Sequence, residues 1–68
     1  MKKISVMIGG RHATSFTLED EFYDALKQIA KSKKTNIADL VTQIDQTRKD
    51  KSLSSALRVY ILQEIQKL

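Results

Sequence analysis

Cysteine is absent from the 68 residues, and histidine occurs once, as His12. No disulfide can staple the chain, and the thiolate zinc sites are excluded. One imidazole does not make a metal site, so neither metal nor cofactor is expected. Long apolar runs are missing too. The stretch Ile4 to Ile8, broken by Ser5, is too short for a signal peptide, and nothing approaches the roughly 20 apolar residues of a membrane span. A cytoplasmic protein with no membrane partner is expected, in keeping with zero cysteine in a reducing compartment. Glycine appears only as the pair Gly9-Gly10, which marks a turn because glycine takes positive φ at little cost.

Catalytic signatures are equally scarce. His12 sits beside the glycine turn, and Ser15, Ser52, Ser54 and Ser55 carry no signature of activation. No lysine–serine pair follows Gly9-Gly10, so it is not a phosphate loop. So small a body is expected to leave little room for a pocket. The chain is not expected to be an enzyme.

Size sets a further constraint. Ordering this many residues costs on the order of 100 kcal/mol of conformational entropy, which apolar burial in a small domain barely offsets. With disulfides and metals closed off, self-association is the remaining route to stability.

Charge is present, and it is segregated. The net +4 divides into +3 over residues 1–18, −3 over 19–30, +3 over 31–36, −1 over 37–50 and +2 over 51–68. Positive charge therefore gathers on Lys2, Lys3 and Arg11, and again on Lys31, Lys33 and Lys34. Two such clusters in a small chain suit a polyanionic partner.

Periodicity divides the chain into five elements. Ile4, Val6 and Ile8 alternate with polar neighbours, and Thr14, Phe16 and Leu18 alternate with Ala13, Ser15 and Thr17, the period of half-buried strands. A two-residue loop at Gly9-Gly10 would place the two apolar sets on opposite faces. A three-residue loop, Gly9-Gly10-Arg11, pairs Ile8 with His12, Val6 with Thr14 and Ile4 with Phe16, and is preferred. The competing picture is a basic arm ahead of a single strand. Glu19, Asp20 and Glu21 open a first helix, and Lys31, Lys33 and Lys34 crowd its last turn. Its stripe is Phe22, Leu26, Ile29 and Ala30, with Tyr23 at the margin. Thr35 or Asn36 caps a second helix with Asp39 placed as a reciprocal partner, and Ile37, Leu40, Val41 and Ile44 are its buried face. The polar run from Asp45 to Lys51 ends it. Ser52 caps a third helix, Leu53 to about Lys67, with the stripe Leu53, Leu57, Ile61, Ile65 and Leu68 widened by Ala56, Val59, Tyr60 and Leu62. So wide an arc is expected to pack against both its own subunit and a neighbour.

These elements offer a route to DNA. The major groove admits a two-stranded antiparallel ribbon, one strand from each of two copies. Thr14, Phe16 and Leu18 would face the core and leave Ala13, Ser15 and Thr17 to meet base edges. The free backbone N–H groups at Asn36 and Ile37 suit a phosphate. Lys33, Lys34 and Thr35 lie just ahead of them, and Lys2, Lys3 and Arg11 can reach the flanking backbone.

The runs GRHATSFTLEDEFYDALKQIA, TNIADLVTQID and SLSSALRVYIL, in that order across residues 4–65, resemble the ribbon-helix-helix superfamily of Arc/MetJ-type repressors, and more closely a small bacterial ribbon-helix-helix family. The resemblance implies an α+β, mostly α, fold in an intertwined homodimer that shares its ribbon. The domain would occupy residues 1–68, with a strand or arm over 1–12, the ribbon-helix-helix core over 13–50 and the C-terminal helix over 52–68. The dimer core would draw on Phe16, Leu18, Phe22, Leu26, Ile29, Ile37, Leu40, Val41, Ile44, Leu57 and Ile61. The implied role is a sequence-specific transcriptional repressor on double-stranded DNA. Ala13, Ser15 and Thr17 would read bases, and Asn36 and Ile37 would anchor phosphates. The alternative is an adaptor or antitoxin-like module whose C-terminal helix holds a partner protein.

Overall fold

Two alternating runs meeting at a glycine pair close into a hairpin. The computed structural model describes residues 1–67. Strand β1 (Lys2–Ile8) pairs antiparallel with β2 (His12–Leu18), with Ile8 opposite His12, Val6 opposite Thr14 and Ile4 opposite Phe16. This is the register of the three-residue loop, so residues 1–12 supply a strand and a turn rather than a detached arm. Within the loop Gly9 and Gly10 both hold positive φ, 59° and 70°, and the Arg11 N–H donates to the Ile8 carbonyl at 3.1 Å. A Cβ on either glycine would meet nothing within 4 Å. The need for glycine is therefore in the backbone angles and not in space.

Three helices follow. Helix α1 (Asp20–Ser32) has Asp20 and Glu21 in its first turn and Lys31 in its last, matching the helix dipole. Glu19 is its N-cap but makes no side-chain capping bond. Lys33 and Lys34, expected within the last turn, lie just past it. Lys33 is the C-cap, Lys34 takes φ 57°, and the Thr35 N–H closes onto the Ala30 carbonyl at 2.9 Å. That is a Schellman ending, with lysine where glycine is usual. Helix α2 (Ile37–Thr47) opens on Asn36, whose Oδ1 accepts from the Asp39 N–H at 2.8 Å while its Nδ2 donates to the Asp39 carboxylate at 3.4 Å. The helix continues past Asp45 to Thr47, further than the polar run suggested. Helix α3 (Leu53–Gln66) is capped by Ser52, whose Oγ accepts from the Ser55 N–H at 3.2 Å. Leu68, expected in its stripe, lies outside the described residues.

The hairpin forms one layer and the helices the other, with β1 lying against α2, β2 against α3, and α1 against both other helices. Between them lie Phe16, Leu18, Leu26, Ala30, Leu40, Val41, Ile44, Leu53, Ala56, Leu57 and Ile61. Eight of the residues expected to build a dimer core are thus buried within one chain. The other three, Phe22, Ile29 and Ile37, are half-buried at its margin. A radius of gyration of 11.1 Å agrees with the roughly 11 Å of a globular chain of this length. Helix α3 lies over this cluster within the same chain, with Leu53, Ala56, Leu57 and Ile61 buried in it. Its apolar arc is used on one side only, and Val59, Leu62 and Ile65 stand exposed.

Hydroxyl caps and ion pairs join the layers. The Gly9 N–H donates to Thr42 Oγ1 at 3.1 Å, and the Thr17 N–H donates to Ser54 Oγ at 3.2 Å. Arg58 on α3 pairs with Glu19 at 3.0 Å. Lys33 reaches Glu64 on α3 at 3.0 Å, and Lys67 reaches the same carboxylate at 3.0 Å. Lys67 chiefly, and then Lys33, hold the Glu64 carboxyl below its ordinary value. A hydrogen bond from its own backbone N–H, then Arg58, lowers that of Glu19.

This packing can be tested in two ways. A depressed carboxylate stabilises the fold fully above its ordinary value of 4.5 and ceases to do so as pH falls through its lowered folded value. Thermal melts should therefore lose stability as pH falls from 4.5 through the lowered folded value, and the loss should be smaller in Glu64→Gln. Lys34→Gly removes the side-chain strain of a left-handed residue at the cost of a looser unfolded chain. It should raise stability by about 0.5–1 kcal/mol in denaturant titrations.

Candidate nucleic-acid interface

The hairpin register decides which side chains share the outer face. Lys3 stands opposite Thr17, Ser5 opposite Ser15 and Met7 opposite Ala13, and all six are exposed. The partners from β1 were legible in the preferred loop, since pairing Ile8 with His12 also pairs Met7 with Ala13. Of those three partners, sequence reasoning assigned a DNA contact to Lys3 and passed over Ser5 and Met7. The face carries three hydroxyls, one ammonium and the apolar ends of Met7 and Ala13. Hydroxyls donate to or accept from base edges, and methyl groups contact the thymine methyl. Arg11 and His12, at the turn, are exposed at one end of the same hairpin. Lys2 is placed differently. Its ammonium lies 5.3 Å from the centre of the Tyr23 ring, with Lys27 at 5.0 Å on the same ring, so cation–π attraction holds it toward α1.

The Thr17 N–H points to Ser54 and therefore away from β1. Because backbone groups alternate along a strand, the N–H groups of Ala13 and Ser15 point to the same outer edge of β2. Ser54 covers the end of that edge and leaves its middle open.

A second cluster occupies the α1–α2 turn. Lys33, Lys34, Thr35, Asn36 and Ile37 are contiguous there, but they are not equivalent. The charge of Lys33 is matched by Glu64, whose hydrogen bond chiefly raises the lysine's pKa. Lys34 is exposed and has no ion-pair partner among the described residues. Asn36 Oδ1 already satisfies the Asp39 N–H, and the Asn36 carbonyl accepts from Leu40. The N–H groups of Ile37 and Ala38 are the first two of the helix and lack intrahelical acceptors. Ala38 was not anticipated as a phosphate donor, although its place two residues after the cap was a sufficient signal. The Asp39 carboxylate in the same turn offsets part of the positive field.

Among the described residues no group of three or more His, Cys, Asp or Glu side chains is placed to hold a metal ion, and no helix is long and apolar enough to cross a membrane. A search of curated proteins and a search of solved structures each returned no significant match. Residues 1–65 match a family model described as a ribbon-helix-helix domain. With a two-stranded antiparallel ribbon followed by helices in place, the chain belongs to the ribbon-helix-helix domain family, whose general role is DNA binding.

Proposed function

We propose that the protein is a homodimeric transcriptional repressor that reads the DNA major groove with the outer face of β2. The observation that carries this reading is the single exposed face on which Ala13, Ser15 and Thr17 lie side by side with Lys3. The open N–H groups of Ala13 and Ser15 support pairing of two copies along their β2 edges. The order across the resulting ribbon is β1, β2, β2, β1. Phe22, Ile29 and Ile37, half-buried at the margin of the core, supply apolar surface for the same association.

Width decides how such a ribbon sits. Four strands spaced about 4.8 Å apart span about 14 Å between the outer two, whereas the major groove is about 12 Å wide. The two inner β2 strands enter, with Ala13, Ser15 and Thr17 toward the bases. The outer β1 strands rest on the groove walls, where Lys3 meets phosphate oxygens. Arg11 and Lys2 extend the basic margin. Lys34, Thr35 and the Ile37 N–H anchor the flanking backbone, joined by Lys33 when it exchanges Glu64 for a phosphate.

A second reading is favoured by one observation, the exposed Val59, Leu62 and Ile65 on α3. A partner protein seated there would make the chain an adaptor or antitoxin-like module. Leu62→Glu leaves the core untouched and separates the two roles. It should leave DNA affinity unchanged, and it would abolish capture of a stoichiometric protein partner if the second reading holds.

Fluorescence anisotropy with a duplex from upstream of the protein's own gene, beside a solution mass measurement, tests the main proposal. Binding should require a dimer and weaken with salt, the log–log slope being about −0.9 per phosphate neutralised. Lys34→Ala should lower affinity for all sequences alike and make that slope shallower by about one, and Lys33→Ala should do less because Glu64 already occupies that lysine. Ser15→Ala and Thr17→Val should instead change the ratio of specific to non-specific affinity, by about 1–3 kcal/mol for each base-edge hydrogen bond removed. Unchanged binding in both sets, or a monomer that binds with full affinity, overturns the proposal.

A further inference from the structure

At the far end of α2 from its phosphate-facing terminus, the turn into α3 forms a half-open cleft of about 430 Å³. Few pockets were expected in so small a body. Its size lies within the range of small-molecule sites, which pair an apolar lining with a few polar groups. The floor is apolar: Ile44 from α2, with Ala56, Val59 and the ring of Tyr60 from α3. The rim is the cationic turn Arg48 to Lys51. Arg48 is already committed, donating from Nε to Asp45 at 2.6 Å and from Nη1 to the Lys51 carbonyl at 2.9 Å. Those bonds brace the turn and leave the ammonium groups of Lys49 and Lys51 without an ion-pair partner among the described residues, against the single carboxylate of Asp50.

The backbone adds an independent observation. Lys49 takes φ 52°, a left-handed conformation that crowds the Cβ of any side-chain-bearing residue and leaves glycine unstrained. The turn thus keeps a lysine side chain at the rim where the backbone favours having none. We propose that this cleft binds a small amphiphilic anion, an apolar ring or short chain bearing one carboxylate, sulfonate or phosphate. Its body lies on Val59 and Tyr60, and its charged group lies between Lys49 and Lys51. Neither half of the cleft suffices alone, since the floor has no charge and the two lysines are exposed to solvent screening. The site is separate from the DNA-reading face and does not depend on it.

Nitrogen-resolved NMR titration of the full chain with 1-naphthalenesulfonate tests the inference, beside 1-naphthalenemethanol and inorganic sulfate as probes of each half. The sulfonate should give saturable shifts at Thr47, Lys49, Lys51, Val59 and Gln63. The uncharged alcohol and the sulfate should each bind at least about tenfold more weakly, a difference of about 1.4 kcal/mol. Lys49→Gly with Lys51→Ala, which relieves strain and spares the core, should weaken the sulfonate by a similar factor and leave the melting temperature no lower. Val59→Asp should abolish binding without moving resonances of the hairpin. Equal affinity for alcohol and sulfonate, shifts centred on Lys33 and Lys34, or a solution dimer in which the cleft amides do not respond would each overturn the proposal.

Discussion

The register of one hairpin governs the rest of the molecule. Side chains alternate strictly across a strand, so a shift of one residue would put Ile4 and Val6 on one face and Thr14 and Phe16 on the other, leaving one of the two apolar sets in solvent. Gly9 and Gly10 prevent it by holding two successive positive φ angles, a conformation that favours glycine, asparagine or aspartate. The turn that directs Phe16 and Leu18 into the hydrophobic core, with Ile4, Val6 and Ile8 packed against it, is the same turn that assembles the hydroxyl-bearing outer face. Folding and surface chemistry are two consequences of one loop length.

Closure of the core falls to α3. A hairpin and two helices would leave Leu40, Val41 and Phe16 open on one side. Leu53, Ala56, Leu57 and Ile61 complete the enclosure, and Arg58 and Glu64 tie the helix to both ends of α1 through Glu19 and Lys33. These ion pairs are partly open to solvent and contribute little stability each; their effect is to set how α3 lies across the layer. The same pairing lowers the availability of Lys33 to a polyanion, so two adjacent lysines in the chain end with different electrostatic circumstances.

Both turns that flank α2 end a helix with a lysine in the left-handed region, Lys34 before it and Lys49 after it. Glycine would be the less strained choice at each. Lys34 stands beside the open N–H groups of Ile37 and Ala38, and Lys49 stands on the rim of the apolar cleft. Helix α2 therefore carries a retained positive charge at either end, with different surroundings: backbone donors at one, an apolar floor at the other.

Much of this was legible in the chain alone, for a local reason. Alternation, the glycine pair, the Asn36–Asp39 box and the Ser52 cap involve residues within a few positions of one another, so spacing carried the strands, the loop and both helix starts. What spacing could not carry was long-range placement. Periodicity showed that α3 is apolar over a wide arc, but whether that arc met its own chain or another depended on how α1 and α2 pack. The pairing of Lys33 with Glu64 and of Thr17 with Ser54 joins residues more than thirty positions apart, beyond any local signal. The sequence by itself determined the elements and the outward set Ala13, Ser15 and Thr17, because these follow from backbone periodicity, and its motif runs carried the family resemblance. Only the tertiary structure decided that one chain encloses its own core, which lysines remain unpaired, and where a cleft opens, because those depend on which surfaces the packed helices cover.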